Sequence, residues 1–168
     1  LRCQQVRRFT TTTDSTHALP VADNVLAQTF ATRRPNQAWV TDITYVPTVE
    51  GWLYLAGVKD LYTCEVVGHA MDARMTTDLV QRALQKAIDT KRPARGLIHH
   101  SDRGSQYCAQ AYQATLRQFG IIPSMSRKGN CYDNAMVETF FKTLKSELVW
   151  RTVFDTRAEA DMAIGGYI

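Results

Sequence analysis

Residues 38–46 mix apolar and polar positions and are rich in aromatic and β-branched side chains. This pattern predicts a β-strand. Its odd-numbered side chains from Trp39 to Tyr45 would face one side of a sheet, and the even-numbered ones from Val40 to Val46 the other. Asp42 therefore lies in the middle of a predicted strand.

Four further short apolar runs, bounded by turn residues, predict the remaining strands. They are Trp52–Val58, Cys64–Met71, Leu97-Ile98 and Ile121–Met125. The connection at residues 59–63 is short, so the second and third strands are predicted to form an antiparallel hairpin.

Apolar residues at helical spacing predict three helices and the start of a fourth. Thr76 is expected to cap the first, and Thr156 with Glu159 forms a capping box that opens the last. The predicted helices cover residues 77–90, 106–119 and 133–150, with Asp133 as a possible N-cap. The last helix is expected to be cut short at Gly165-Gly166, and a short helix is possible around Val25–Phe30.

The order of these elements predicts an α/β domain, a five-stranded mixed sheet flanked by helices, within residues 37–152. Residues 1–36 are polar and interrupted by Pro20 and Pro35, and we expect a linker or arm from a missing amino-terminal module. Residues 153–168 are expected to be a truncated carboxy-terminal helix. A chain of 168 residues is long enough for one such core.

Two aspartates stand where an acidic side chain needs an explanation. Aspartate is depleted in strands, so Asp42 is either at a water-facing edge or a metal ligand. Asp102 follows the strand that begins at Leu97, at its carboxyl end, where α/β folds place their chemistry. It could equally cap the turn or the helix behind it. Asp60 lies in the predicted hairpin turn and is interpreted as a turn residue.

The helix predicted over residues 133–150 has an apolar stripe and a separate polar face. That polar face carries Asn134, Glu138, Lys142 and Lys145 at steps of four, four and three. One interpretation is a solvated face with a Glu138–Lys142 ion pair, and the helix taken alone favours it. The other is a functional face.

Composition adds a mild basic bias. Twenty Lys and Arg against sixteen Asp and Glu leave a net charge of +4, which is compatible with nucleic acid. Arg127 and Lys128 lie in a small polar loop that is either an ordinary connection or a DNA contact. The spacing of the four cysteines and four histidines suggests neither a zinc site nor disulfides. No membrane span or signal peptide is visible, so a cytoplasmic location is expected.

Three carboxylates on separate predicted elements, Asp42, Asp102 and Glu138, are a set that two-metal phosphoryl transfer requires. Two Mg²⁺ ions at roughly 3.5–4 Å need several hard oxygen ligands. Lysine and arginine beside them would hold a DNA backbone.

Three stretches carry a family resemblance: Trp-Val-Thr-Asp-Ile-Thr-Tyr at 39–45, His-His-Ser-Asp-Arg-Gly-Ser-Gln-Tyr at 99–107, and Ser-Arg-Lys-Gly-Asn-Cys-Tyr-Asp-Asn-Ala-Met-Val-Glu at 126–138. Together with Asp-Ser-x-His-x-Leu-Pro-Val-Ala at 14–22, they resemble the catalytic core of insertion-sequence transposases of the DDE type, relatives of retroviral integrases. Thirty-five residues separate Asp102 from Glu138, which matches the family's Asp-35-Glu signature.

The resemblance implies a ribonuclease H-like fold and Mg²⁺-dependent cleavage and strand transfer of element-end DNA into target DNA. It carries over Asp42, Asp102 and Glu138 as catalytic, metal-binding residues for two Mg²⁺ ions, with Mn²⁺ as a substitute. Asn134, Lys142 and Lys145 match DNA-contacting offsets on this helix. A homo-oligomer in the bacterial cytoplasm, associated with the nucleoid, is expected.

Two other functions remain open at this point. A ribonuclease H-like nuclease shares the chemistry, although the block at residues 126–138 argues against it. A degenerate, non-catalytic DNA-binding or assembly module is the second, because residues that family members usually have are missing at both ends.

Overall fold

The computed structural model describes residues 17–26, 32–126 and 135–168. The strands are β1 (Ala38–Thr48), β2 (Gly51–Asp60), β3 (Val66–Asp72), β4 (Ile98–Ser101) and β5 (Ile122–Met125). The helices are α1 (Thr77–Lys91), α2 (Ser105–Cys108), α3 (Gln110–Gln118), α4 (Ala135–Glu147) and α5 (Arg157–Tyr167), with a 3₁₀ turn at Val149–Arg151. In these ranges no helix is long and apolar enough to cross a membrane.

The strands form one mixed sheet in the order β3-β2-β1-β4-β5. The pairs β1–β2 and β2–β3 are antiparallel, and β1–β4 and β4–β5 are parallel. β4 pairs only with Ala38–Val40 of β1, so the β1 chain from Thr41 onward extends past the carboxyl end of β4. The predicted five-stranded mixed sheet flanked by helices is confirmed.

Helices cover both faces of the sheet, and β1 supplies side chains to both. Trp39 and Ile43 belong to a core cluster that also contains the buried face of α1 and residues of α2 and α3. Val40 and Val46 belong to a second cluster, with buried residues of α4 and α5. The predicted alternation along this strand is therefore confirmed, and the even-numbered face is the one that α4 covers.

The hairpin between β2 and β3 differs from the prediction in its bounds. β2 continues through Lys59 to Asp60 and β3 begins at Val66, so the connection has the predicted length but lies two residues later, at 61–65. Asp60 nevertheless stabilises the turn, as predicted: its Oδ1 accepts hydrogen bonds from the backbone N–H groups of Tyr62 and Thr63, both at 2.8 Å. Its Oδ2 accepts from the Asn36 N–H at 2.6 Å. These bonds explain why a carboxylate can be buried at the end of a strand.

The helix predicted for residues 106–119 is two helices, because the chain leaves helical geometry at Ala109 (φ −59°, ψ 138°). Gln113 Nε2 donates to the Tyr107 carbonyl oxygen at 2.8 Å, which satisfies an acceptor near the break. The break allows Tyr107 and Tyr112 to point into the same core cluster, where their ring centroids lie 5.5 Å apart.

The carboxy-terminal elements also differ from prediction. α4 ends at Glu147 and a 3₁₀ turn follows, whereas one helix was expected to run to residue 150. α5 continues through Gly165-Gly166 to Tyr167, so the predicted early stop is wrong. The Tyr167 hydroxyl donates to Glu147 Oε2 at 2.6 Å and ties the end of α5 to the end of α4.

Both predicted threonine caps are confirmed, since Thr76 accepts from the Leu79 N–H and Thr156 from the Glu159 N–H. The Asp133 cap, and the helix around Val25–Phe30 beyond Leu26, lie outside the described residues.

Gly68 sets the distance between β3 and α1. A Cβ built on it would lie 2.6 Å from the Ala87 backbone nitrogen and would also collide with the Ala83 carbonyl oxygen. Both atoms are helix backbone and cannot rotate away. The glycine is therefore needed for close strand–helix packing.

We expect Gly68→Ala to destabilise the fold by about 1–3 kcal/mol, because α1 must move away from the sheet. Urea unfolding followed by circular dichroism measures this loss. Gly165→Ala is the control: its added Cβ meets no atom within 4 Å, and its site is helical. That variant should unfold at the same or a slightly higher urea concentration. A Gly68→Ala midpoint equal to the parent's would contradict the packing argument.

Candidate active site

Asp42 lies near the middle of β1, opposite Gly57 of β2. It shares its face with Val40 and Val46, which is the face that α4 covers. A Cβ on Gly57 would lie 3.4 Å from the Phe141 ring, so the absence of a side chain there brings α4 close to the strand. The strand and the helix together flank the Asp42 side chain, which remains partly exposed.

Asp102 lies directly after β4, as predicted. Its Oδ1 accepts a hydrogen bond from the Gly104 N–H at 2.8 Å. A Cβ on Gly104 would lie 2.9 Å from that same oxygen and 3.0 Å from Gln106 Oε1. Gly104 therefore allows the backbone to approach the carboxylate, and its φ of −59° requires no left-handed conformation.

Glu138 lies in the first turn of α4. The start of α4 is held in two ways. Val137 and Phe141 are buried, and Lys59 Nζ donates to the Met136 carbonyl oxygen at 3.4 Å. Because Lys59 belongs to β2, the neighbour of β1, this link places Glu138 on the Asp42 side of the sheet.

The three carboxylates interact electrostatically at Asp42. The pKa of Asp42 is raised to about 8, by burial first, then by the Asp102 carboxylate and, less strongly, by Glu138. A backbone hydrogen bond at Ile43 and the ammonium of Lys145 oppose the shift. Like charges crowded into a poorly solvated place favour protonation. A bound cation would relieve the same crowding, so this donor set suits a hard divalent ion.

In residues 17–26, 32–126 and 135–168, no three or more His, Cys, Asp or Glu side chains form a group that could hold a metal ion. The structure thus brings Asp42 within electrostatic reach of Asp102 and Glu138 without closing the three into one ligand set. Their assignment as the catalytic, metal-binding triad stays a prediction.

Lys145 lies beside this group. Its Nζ is 4.5 Å from the centroid of the Tyr45 ring, and burial lowers its pKa while Asp42 acts to raise it. Lys142 is exposed. Within the described part of the chain no ion pair joins Glu138 to Lys142, which removes the main support for the solvated-face interpretation. Arg127, Lys128 and Asn134, the other predicted DNA contacts, lie outside the described residues.

Sequence reasoning missed Tyr107 as a neighbour of the site. It is buried under β1, with its hydroxyl 3.4 Å from Thr41 Oγ1. Burial, then Asp42, raises the pKa of this phenol well above its ordinary value, so it stays neutral. Tyr107 is the last residue of the motif that contains Asp102, so the sequence did indicate it. The helix break at Ala109 was not predicted, and without it the orientation of Tyr107 could not be inferred.

The two histidines before Asp102 are core residues. His99 and His100 are buried in β4, with ring nitrogens 3.2 Å from the Tyr112 hydroxyl and 2.9 Å from Ser124 Oγ respectively. Burial, then His100, lowers the pKa of His99 to about 3, so it is neutral at physiological pH. These contacts fix the strand that presents Asp102.

Two family descriptions match the chain. The integrase core domain family matches residues 32–131, and a second integrase core domain description matches residues 138–168. The chain belongs to the integrase core domain family. The two matches include Asp42, Asp102 and Glu138, the residues that meet electrostatically in the structure.

The relatives of this integrase core are insertion-sequence proteins. An uncharacterised 31 kDa protein of insertion element IS600 from Shigella sonnei is 58% identical over the whole chain, which covers 62% of that protein. The transposase InsF of insertion sequence IS3A from Escherichia coli is 45% identical, again over the whole chain and 58% of its own length. The chain thus spans about three fifths of these relatives, and the predicted resemblance to insertion-sequence transposases with an integrase core is confirmed.

Solved structures confirm the fold. The catalytic core domain of HTLV-2 integrase in complex with magnesium superposes with a TM-score of 0.58 at 19% identity, covering 69% of this chain and 71% of that one. A chain of a simian T-cell lymphotropic virus intasome gives a TM-score of 0.61 at 22% identity, covering 80% and 46%. The integrase core described here therefore has the ribonuclease H-like fold that was predicted.

The raised pKa of Asp42 predicts an unusual pH dependence of stability. Its folded value of about 8 lies above the ordinary 3.8, so the folded state loses stability as pH rises from about 4 to about 8. Asp42→Asn removes this loss. The parent should therefore lose stability relative to Asp42→Asn as the pH rises. Without added metal, we expect the stability advantage of Asp42→Asn over the parent to grow by roughly 1–3 kcal/mol between pH 5 and pH 8.5.

Urea unfolding at the two pH values measures that difference. Asp89→Asn, at an exposed position on α1, is the control and should give the same difference at both. A difference that does not change with pH for Asp42→Asn would show that its carboxylate is not crowded in the folded chain.

Proposed function

We propose that this integrase core is the catalytic domain of a bacterial DDE transposase, which cleaves and joins insertion-element DNA. The observation that carries the proposal is the electrostatic coupling of Asp42 to both Asp102 and Glu138. This arrangement does not serve stability, because the carboxylates of Asp102 and Glu138 both make ionisation of Asp42 less favourable.

Asp42, Asp102 and Glu138 are proposed to hold two Mg²⁺ ions, with Mn²⁺ able to substitute. When bound, these ions supply charge neutralisation at phosphate oxygens and activation of the attacking oxygen. The chain itself contributes the oxygen ligands, on a rigid strand and on a helix packed against it. A structure of the HTLV-2 integrase core contains magnesium, and that is consistent with this choice of ion.

The reaction needs no covalent nucleophile from the protein. In cleavage, a water oxygen attacks a phosphodiester at an element end, the bond from phosphorus to the 3′-oxygen breaks, and a free 3′-hydroxyl results. In joining, that 3′-hydroxyl attacks a phosphodiester of target DNA and displaces another 3′-oxygen. One bond forms as an equivalent one breaks, so positioning and charge stabilisation suffice.

Basic residues near the carboxylates are proposed to hold DNA. Lys145 lies beside Asp42, and Lys142 is exposed one helical turn from Glu138. Arg127, Lys128 and Asn134 are proposed to add contacts to phosphates or bases. The partners would be element-end and target DNA in the bacterial cytoplasm, at the nucleoid. A homo-oligomer is proposed because two DNA ends must be joined to one target, and an intasome is among the structural relatives.

A non-catalytic DNA-binding or assembly module is the second candidate. It is favoured by one observation: the described residues contain no closed group of three metal ligands.

Calorimetric titration of Mn²⁺ into the chain separates the two candidates. We expect the parent to bind Mn²⁺ and Asp102→Asn to bind it roughly tenfold or more weakly, because a ligand is lost. Asp89→Asn, which removes the same charge far from the site, should bind like the parent. Equal binding by the parent and Asp102→Asn, or no binding by either, would support the non-catalytic module.

A second assay separates transposase from nuclease. A labelled duplex with a free 3′-hydroxyl is incubated with plasmid DNA, the chain and Mn²⁺. Labelled ends joined into the plasmid support the proposed reaction. Shortened strands with no joined product would favour a ribonuclease H-like nuclease.

A further inference from the structure

Residues 17–26, named here the strap, run along one edge of the domain without forming a helix or a strand. The strap precedes the first strand, yet it packs against elements from the middle of the sequence. Leu26, at its end, is only 4% exposed and belongs to the core cluster under α4. The predicted linker therefore contains a segment that is part of the folded domain.

Three hydrogen bonds attach the strap to β5, which is the edge strand of the sheet. The Leu26 N–H donates to Ser124 Oγ at 3.0 Å, and the Met125 N–H donates to the Asp23 carbonyl oxygen at 3.3 Å. The Ala22 N–H approaches Met125 Sδ at 3.4 Å. Without the strap, β5 would be an uncovered edge strand with unpaired backbone groups. The three bonds hold the strap against this edge.

At its other end the strap reaches the loop that carries Asp102. His17 Nε2 lies 2.8 Å from the Arg103 carbonyl oxygen. The Leu19 N–H donates to His17 Nδ1 at 3.2 Å, so Nδ1 acts as an acceptor. A carbonyl oxygen can only accept, which means that Nε2 carries the proton and donates it. Both ring nitrogens of His17 are thus used, and the ring orientation is fixed.

The bond made by His17 acts on the group that holds Asp102. The Arg103 carbonyl and the Gly104 N–H belong to one peptide unit, which is planar and rigid. That Gly104 N–H donates to Asp102 Oδ1 at 2.8 Å. If this peptide rotated, the Arg103 carbonyl and the Gly104 N–H would turn together. A hydrogen bond that fixes the carbonyl therefore also fixes the direction of the N–H. A donor on the carbonyl further polarises the amide and strengthens the bond to the carboxylate.

The loop is held from the other side as well. Arg103 Nε donates to the Ser126 carbonyl oxygen at 2.7 Å, and the Ser126 N–H donates to the Ser101 carbonyl oxygen at 3.0 Å. These contacts hold the arginine side chain and the end of β4. They leave the Arg103 carbonyl oxygen, on the peptide that bears the Gly104 N–H, to two other groups. His17 Nε2 lies 2.8 Å from it, and the Cys108 thiol, a weak donor, lies 3.9 Å from it.

We propose that His17 is a positioning residue for Asp102: by holding the Arg103 carbonyl, it orients the Gly104 N–H that holds the Asp102 carboxylate. The inference rests on the proposed function, because it takes Asp102 as a metal ligand. It also makes the strap part of the active-site framework.

The test uses the 168-residue chain and three variants. His17→Ala removes the imidazole donor and leaves the Arg103 carbonyl only the weak contact from the Cys108 thiol. His17→Gln keeps an N–H donor at nearly the reach of Nε2, so it should restore the parent's behaviour. Leu19→Ala changes an exposed side chain of the same strap and is the control for general disturbance. His17 is only partly buried, so thermal unfolding should confirm that each variant remains folded.

Two measurements are made on each variant. Calorimetry measures the affinity for Mn²⁺ alone, and nuclear magnetic resonance measures hydrogen exchange of the Gly104 amide without metal. In His17→Ala we expect Mn²⁺ to bind about three- to tenfold more weakly, as for the loss of one hydrogen bond, and the Gly104 amide to exchange about threefold faster or more. His17→Gln and Leu19→Ala should match the parent in both.

The outcomes separate the two claims. Parent-like Mn²⁺ affinity in His17→Ala, when Asp102→Asn has lost binding, would overturn the positioning role even if Gly104 exchange were faster. Failure of His17→Gln to restore the parent's values would overturn the role of the donor. If neither the parent nor Asp102→Asn binds Mn²⁺, the proposed function fails. The Gly104 exchange rate then decides alone whether His17 holds this peptide.

Discussion

The crowding of negative charge at Asp42 is the constraint on which the rest of the site depends. The Asp42 carboxylate, in the central strand and within electrostatic reach of Asp102 and Glu138, is unfavourable when ionised. It persists because β1 is held by β2 along its length and buried by helices on both faces. The stability of that scaffold is what permits an unfavourable charge to be kept in one place.

Each neighbour of Asp42 is positioned by contacts that have little to do with charge. Glu138 is set by α4, which packs through Phe141 onto the bare backbone of Gly57. Asp102 is set by β4, whose two buried histidines are hydrogen-bonded to Ser124 and Tyr112. Apolar packing and neutral hydrogen bonds thus supply the rigidity, and the charged groups at their ends do not have to stabilise one another.

The sequence was most informative where one local pattern decided the structure. Alternation along β1 predicted which face Asp42 takes, and threonine caps predicted two helix starts. It failed where a distant contact decided the outcome. The break at Ala109 accompanies the packing of Tyr107 under β1, and α5, which passes its two glycines, contacts the end of α4 through Tyr167 and Glu147. Similarly, nothing local to His17 indicated a bond to a carbonyl 86 positions away.

These failures have a common physical origin that bears on function. Local rules describe a chain that minimises its own energy, whereas a site needs groups in places that the local sequence would avoid. Asp42 is disfavoured in a strand, and Gly104 lacks a side chain so that backbone can approach a carboxylate. The strap adds a hydrogen bond from His17 to the peptide next to Asp102, which otherwise has only the weak contact from the Cys108 thiol. Position in this site is therefore fixed partly from outside the three segments that carry the carboxylates, by a residue far from Asp102 in the sequence.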